Sequence, residues 1–225
     1  MKQFTIEDFF RKQFEEESNN VLLETPILYS FKTMKSYVEQ LAEICIEDYI
    51  LYAEKHPSPH SITTKDITQL SNIYDCTIGM CNIMKDNNSG MSLTKIAEEL
   101  HGSKVYKTNP VALTKYGENQ VKTACQLGLT LFRNGLWYLT AVGKVFLDLS
   151  DNDQNKYLSI CLLRDPFYSR VLCSMYRQET KLIDYMSILS ESTQKRRFSS
   201  CMKMISFFIQ QCEMESIRIH PIKFK

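Results

Sequence analysis

The sequence is poor in the residues that punctuate a chain. Seven glycines and six prolines interrupt 225 residues, so most of the chain is expected to be helical. It has no low-complexity run, no sustained heptad pattern and no apolar run long enough to cross a bilayer. The first eight residues lack the apolar block of a signal peptide, so a cytoplasmic protein with no membrane partner is expected. Eight cysteines are present, but no two stand as Cys-x-x-Cys. They are read as free thiols within apolar helical stripes rather than as disulfides or zinc ligands. His56 and His60 are four apart, yet Pro57 and Pro59 between them prevent a shared helical face, so no metal site is expected there.

What is present is 44% hydrophobic and 11% aromatic residues, enough for an ordinary core, and an uneven distribution of charge. The formal net charge is only +1. Residues 1–60 hold six Lys/Arg against eleven Asp/Glu, so the remainder is basic. That asymmetry points to a polyanion partner for one part of the chain. The acidic part reads as an N-terminal helical segment. Ile6, Phe9, Phe10 and Phe14 lie inward on a helix over residues 6–17, and a longer helix over 32–55 carries an apolar stripe from Met34 to Tyr52. Core packing is the reading of that stripe, with a homodimer surface as its alternative. The stretch from His56 to His60 is the best linker, giving segments 1–60, 61–150 and 151–225.

From residue 64 to residue 149 the order of elements is that of a winged helix-turn-helix. A helix over 64–87 is expected to underlie the others. Ser92 is placed to cap a helix over 93–100, and a basic helix over 115–127 follows. Val121, Ala124, Cys125 and Leu127 are available to its core side. Two short strands then flank Asn134-Gly135, the strongest short signal for a type I′ hairpin, which would be the wing. Between Lys104 and Lys144 six cations stand against the single acid Glu118. On this reading Lys115 and Lys122 serve phosphate, Arg133 of the wing is a further DNA contact, and Asn119, Gln120 and Thr123 have side chains suited to base edges. Trp137 is assigned to packing of the wing on the core.

A weaker copy of the pattern follows. Helices are expected over 151–163, 167–176 and 181–189. A polar turn holding Ser192 and Thr193 then opens a last helix through Lys195, Arg196 and Arg197 to Cys212. Free N–H groups and the dipole at such a start attract phosphate, and the cations add to that. The fold class expected is therefore mainly α: a tandem winged helix-turn-helix with one small β-hairpin wing and an N-terminal helical segment.

The motifs Gln126-Leu127-Gly128-Leu129, Leu139-Thr140-Ala141-Val142-Gly143, Leu162-Leu163-Arg164-Asp165-Pro166-Phe167 and Ser192-Thr193-Gln194-Lys195-Arg196-Arg197 together resemble the helical winged modules attached to bacterial restriction endonucleases and related phage-defence proteins. The resemblance covers roughly residues 64–212. It implies double-stranded DNA as partner, with a nuclease or other subunit of a restriction or antiviral defence system beside it, in recognition or transcription regulation. Two departures stand out: Phe207 and Phe208 replace the tryptophans expected after the Arg-Arg pair, and no nuclease domain accompanies the module. The one Glu-x-Lys, Glu179-Thr180-Lys181, lies between helices with no strand carrying an upstream acid. No phosphate-binding Gly-rich loop, Gly-x-Ser-x-Gly elbow or His-Glu-x-x-His helix occurs. No catalytic residue, metal or cofactor is therefore assigned, and the reading is DNA binding without catalysis. The alternative is a winged-helix adaptor that mediates protein assembly.

Overall fold

The computed structural model describes residues 45–67, 69–70, 72–101 and 109–223. The helix expected over 6–17, most of the one expected over 32–55, and Lys104 and Lys107 lie outside these residues. The chain is mainly helical, with one small antiparallel hairpin.

The first described helix, α1 (Ile46–Lys55), begins abruptly rather than continuing a longer helix. Cys45 is extended, its Sγ accepts the Glu47 N–H, and Glu215 takes the Ile46 N–H at 2.7 Å. The helix expected over 64–87 is likewise broken, into α2 (Ile73–Cys76) and α3 (Ile78–Met84). Its first part is a loop because distant side chains take the backbone groups a helix would have used. Arg197 accepts nothing but donates to the Thr64 and Ile67 carbonyls, and Ser200 Oγ serves both the N–H and the C=O of Leu70 at 3.1 Å. Asn72 then caps α2 through the Asp75 N–H.

Helix α4 (Leu93–His101) follows Ser92, whose Oγ accepts the Lys95 N–H as a cap should. Helix α5 (Pro110–Gln126) starts five residues before the expected Lys115, because Asn109 caps it and Pro110 occupies its first turn. Gly117 lets the two helices meet: a Cβ there would lie 2.8 Å from Ala97 Cβ and 2.9 Å from the Leu93 carbonyl. The hairpin pairs β1 (Thr130–Arg133) with β2 (Leu136–Leu139), and Asn134 and Gly135 both take positive φ, as a type I′ turn requires. Met91, between α3 and α4, bridges β2 through two backbone bonds with Trp137, 2.8 and 3.0 Å long. Helix α6 (Ala141–Phe146) follows, capped by Thr140.

The second half comprises α7 (Asp151–Arg164), α8 (Pro166–Arg177), β3 (Thr180–Lys181), α9 (Leu182–Tyr185), α10 (Glu191–Met214) and β4 (Ile222–Lys223). Strands β3 and β4 pair in parallel, which the sequence reading did not anticipate. Helix α10 starts three residues before Gln194, so Ser192 and Thr193 lie in its first turn rather than in a preceding one. Helix α1 packs against α7, α8 and α10. One hydrophobic cluster extends from Ile46 to Ile217, crossing both positions where the sequence suggested boundaries. Among the described residues no helix is long and apolar enough to cross a membrane.

Candidate nucleic-acid interface

The outward face of α5 is set by how the helix is seated on α4. Val121 and Ala124 are fully buried. Its outward charged residues are Lys115 and Lys122, both exposed, with Glu118 and Asn119 half-buried between them. Glu118 accepts from Lys115 Nζ at 2.8 Å and from Lys122 Nζ at 2.5 Å. These two bonds hold its carboxyl below the usual range. The basic face is thus two cations bracketing one carboxylate. Cys125, expected inward, is exposed.

Two of the residues assigned to base edges do not reach this face. Gln120 is 0% exposed and Thr123 is 1% exposed. Both sit on the core stripe with Val121 and Ala124, and Thr123 Oγ1 donates back to the Asn119 carbonyl at 3.0 Å. The correction follows from helix phase: a helix that begins at Pro110 and crosses α4 at Gly117 turns positions 120 and 123 inward. Gln120 finds no hydrogen-bond partner for either amide atom among the described residues. Of the three polar residues, Asn119 alone keeps an outward place.

The hairpin lies beside α5. Arg133 is exposed at its tip, and Phe132 is 58% exposed, its ring 5.0 Å from that of Trp137. Trp137 is buried against the core beneath it, where the packing assignment placed it.

At the start of α10 the three consecutive cations diverge. Lys195 pairs with Glu191 one turn back at 3.1 Å, and Arg196 donates to Thr193 Oγ1 at 3.1 Å. Arg197 turns inward to the Thr64 carbonyl at 2.6 Å and to that of Ile67. Burial pulls its guanidinium below the usual arginine range. Arg197 is therefore a tie between α10 and the loop before α2, and its assignment to phosphate is corrected. Ser192 is exposed beside Ser190, and Thr193 is half-buried.

Sequence reasoning missed the glutamines that fix these helix starts. Gln154 Nε2 donates to the carbonyls of Phe146 and Leu149 at 2.9 and 3.4 Å, and Gln194 Nε2 to those of Met186 and Leu189, both at 3.0 Å. The signal was there to read: Leu149-Ser150-Asp151-Asn152-Asp153-Gln154 and Leu189-Ser190-Glu191-Ser192-Thr193-Gln194 share a Leu-Ser-acid-x-x-Gln pattern. In each copy the helix closes on the turn before it through a buried amide. Gln126 was also missed, and nothing local marks it. Its amide donates across to the Lys65 and Asp66 carbonyls at 3.3 and 3.1 Å.

Among the described residues no group of three or more His, Cys, Asp or Glu side chains could hold a metal ion. Comparison with family models, with curated proteins and with solved structures gives no match for this chain.

Proposed function

We propose that this chain is a winged-helix protein that binds duplex DNA without catalysis, as a recognition or regulatory component of a restriction or phage-defence system. The observation that carries the reading is the order of elements from α3 to β2. A helix, an extended residue at Met91, two helices crossing at Gly117 and a type I′ hairpin follow in turn, with Met91 paired to the second hairpin strand. That order fits a winged helix-turn-helix, and it sets the polar face of α5 and the hairpin tip at the surface, where a duplex would be met. Phosphate would be met by Lys115, Lys122 and Arg133, with Arg196 and Ser192 at the start of α10. Base contact would fall to Asn119. The defence role rests on the motif resemblance alone.

Anisotropy of a labelled duplex at two salt concentrations tests the reading. Affinity should fall steeply between about 50 and 200 mM salt, as expected when several phosphates are neutralised. Absence of binding near the lower value discards it.

A second reading, an adaptor in a protein assembly, is favoured by one observation. The hairpin carries an exposed Phe132 and half-buried Leu131, Leu136 and Tyr138 around the single cation Arg133, an apolar content suited to a protein partner. Replacing Phe132 by Ser should then abolish assembly while leaving any affinity for DNA in place.

A further inference from the structure

Residues 63–67 join the two helices that carry the candidate contacts. All four carbonyls from Thr64 to Ile67 are taken by side chains: Gln126, in the last turn of α5, holds those of Lys65 and Asp66, and Arg197, in the second turn of α10, holds those of Thr64 and Ile67. The loop also closes on itself, since Asp66 Oδ2 accepts from the Thr63 N–H and hydroxyl at 2.6 and 2.8 Å. A little further on, Ser200 of α10 holds Leu70 by both backbone groups. A segment bonded in this way to two helices fixes the end of α5 relative to the start of α10. The charges on the three elements then keep a fixed relation. Lys65 is exposed on the loop, Lys122 is exposed one turn before Gln126, and Arg196 is exposed one residue before Arg197.

We propose that Lys65, Lys122 and Arg196 form one phosphate-contacting face that spans both helical units, with Gln126 and Arg197 as the positioning residues that hold it in register. The proposal rests on the duplex-DNA reading and gives it a contact, Lys65, and a geometry it did not have. Charge complementarity favours a polyanion here over a protein. Of the acids nearby, Glu118 is paired with two lysines and Glu191 with Lys195, while Asp66 is turned to the Thr63 N–H and hydroxyl. No exposed large apolar side chain lies on the loop or on α10 before Met214. A duplex laid across this face would be held by its backbone, without regard to sequence.

The test uses the full chain and a labelled duplex over a salt series. Lys65→Ala, Lys122→Ala and Arg196→Ala should each weaken binding by the same factor on unrelated sequences, and each should make the salt slope shallower by about one unit. Gln126→Ala and Arg197→Ala should weaken binding too. In either background, adding Lys65→Ala should cost less than it does alone, because the loop no longer holds the lysine in place. Gln126→Ala guards against loss of folding in Arg197→Ala, and thermal melts check both. An unchanged slope for Lys65→Ala beside a shallower one for Lys122→Ala overturns the shared face and leaves the DNA reading intact. Full additivity in folded double variants overturns the positioning role. No binding by the unaltered chain removes both.

Discussion

The two helical units of this chain use the same devices to different ends. Each places a glutamine on the buried side of its long helix. In α10, Gln194 is satisfied twice over by the turn before the helix, whereas in α5 Gln120 is buried with neither amide atom bonded among the described residues. Each also opens its outward face with cations close to a glutamate. In α10, however, the third cation, Arg197, is spent on the loop that ties the halves together. The first unit adds a hairpin with an exposed aromatic ring, and the second adds a two-residue parallel pairing between β3 and β4. The difference teaches that the second unit spends Gln194 and Arg197 on its own frame. The first unit leaves side chains outside, and one buried amide unsatisfied.

The largest effects should come from asking whether the two units fold apart. Trp137 in the first and Phe208 in the second are both deeply buried in one continuous cluster. Truncating either to alanine should cost about 3–5 kcal/mol. Urea unfolding followed by tryptophan fluorescence for Phe208→Ala, and by circular dichroism for both variants, should show one shared transition each time. Two separated transitions would break the single-core view and make the units independent domains.

Next in size are the glutamines. Gln194→Ala removes the donor for the Met186 and Leu189 carbonyls and should cost about 1–3 kcal/mol, since the Leu189 carbonyl loses its side-chain donor while that of Met186 keeps only the Leu189 N–H. Gln120→Leu should be near neutral or stabilising, because it replaces an amide with no partner by an apolar group of similar size. It should also leave any DNA sequence preference unchanged, as Gln120 does not reach the surface. Relaxed preference in Gln120→Leu would mean that α5 turns on binding.

Much of this contrast was legible in the sequence, and the remainder was hidden for a physical reason. Local signals told the truth where local bonds decide structure. Asn134-Gly135 made the hairpin turn, Ser92 capped α4, and the 3.6-residue stripes of α7 and α8 fell close to where periodicity put them. The errors arose where a side chain far along the chain takes over a backbone group. Apolar residues at helical spacing could not reveal that Arg197 would claim the Thr64 and Ile67 carbonyls, and Ser200 the N–H and C=O of Leu70, some 130 positions away. Nor could they reveal that Glu215 would start α1 at Ile46. The phase of α5 failed for a related reason. The expected start at Lys115 omits the first five residues of the helix, which Asn109 caps and Pro110 opens, and the crossing at Gly117 fixes which side faces the core. Gln120 and Thr123 had suitable chemistry on the wrong side of the helix.

A smaller effect concerns Asp165, which caps α8 by accepting the Phe167 and Tyr168 N–H groups at 2.9 and 3.0 Å. Burial pushes its carboxyl up to about 7, against the pull of those two donors, and nearby Asp66 adds to the rise. Between the ordinary aspartate range near about 4 and this value, the folded chain keeps a proton that the unfolded chain has lost. Stability should therefore fall as pH rises through that window. Asp165→Asn keeps a good cap and removes the charge, so it should flatten this part of the profile and leave the variant more stable than the parent near about pH 8. Denaturation midpoints at the two ends of the window check it. A parent chain that gains stability with rising pH would show the carboxylate to be a net benefit.

The smallest change in stability should separate the two units most sharply in function. Glu118 is the one acid on the outward face of α5, and it holds both lysines there. Surface pairs of this kind are worth about 0.3–0.5 kcal/mol each, so Glu118→Gln should barely move the melting temperature. It should nevertheless raise the positive potential of the face and release two cations to meet phosphate, so affinity for duplex DNA should rise and the salt slope should steepen. Glu191→Gln frees only Lys195 at the start of α10, and its effect should be smaller. If α5 leads the contact, Glu118→Gln outranks Glu191→Gln at every salt concentration. The reverse order would make α10 the leading element and α5 its support.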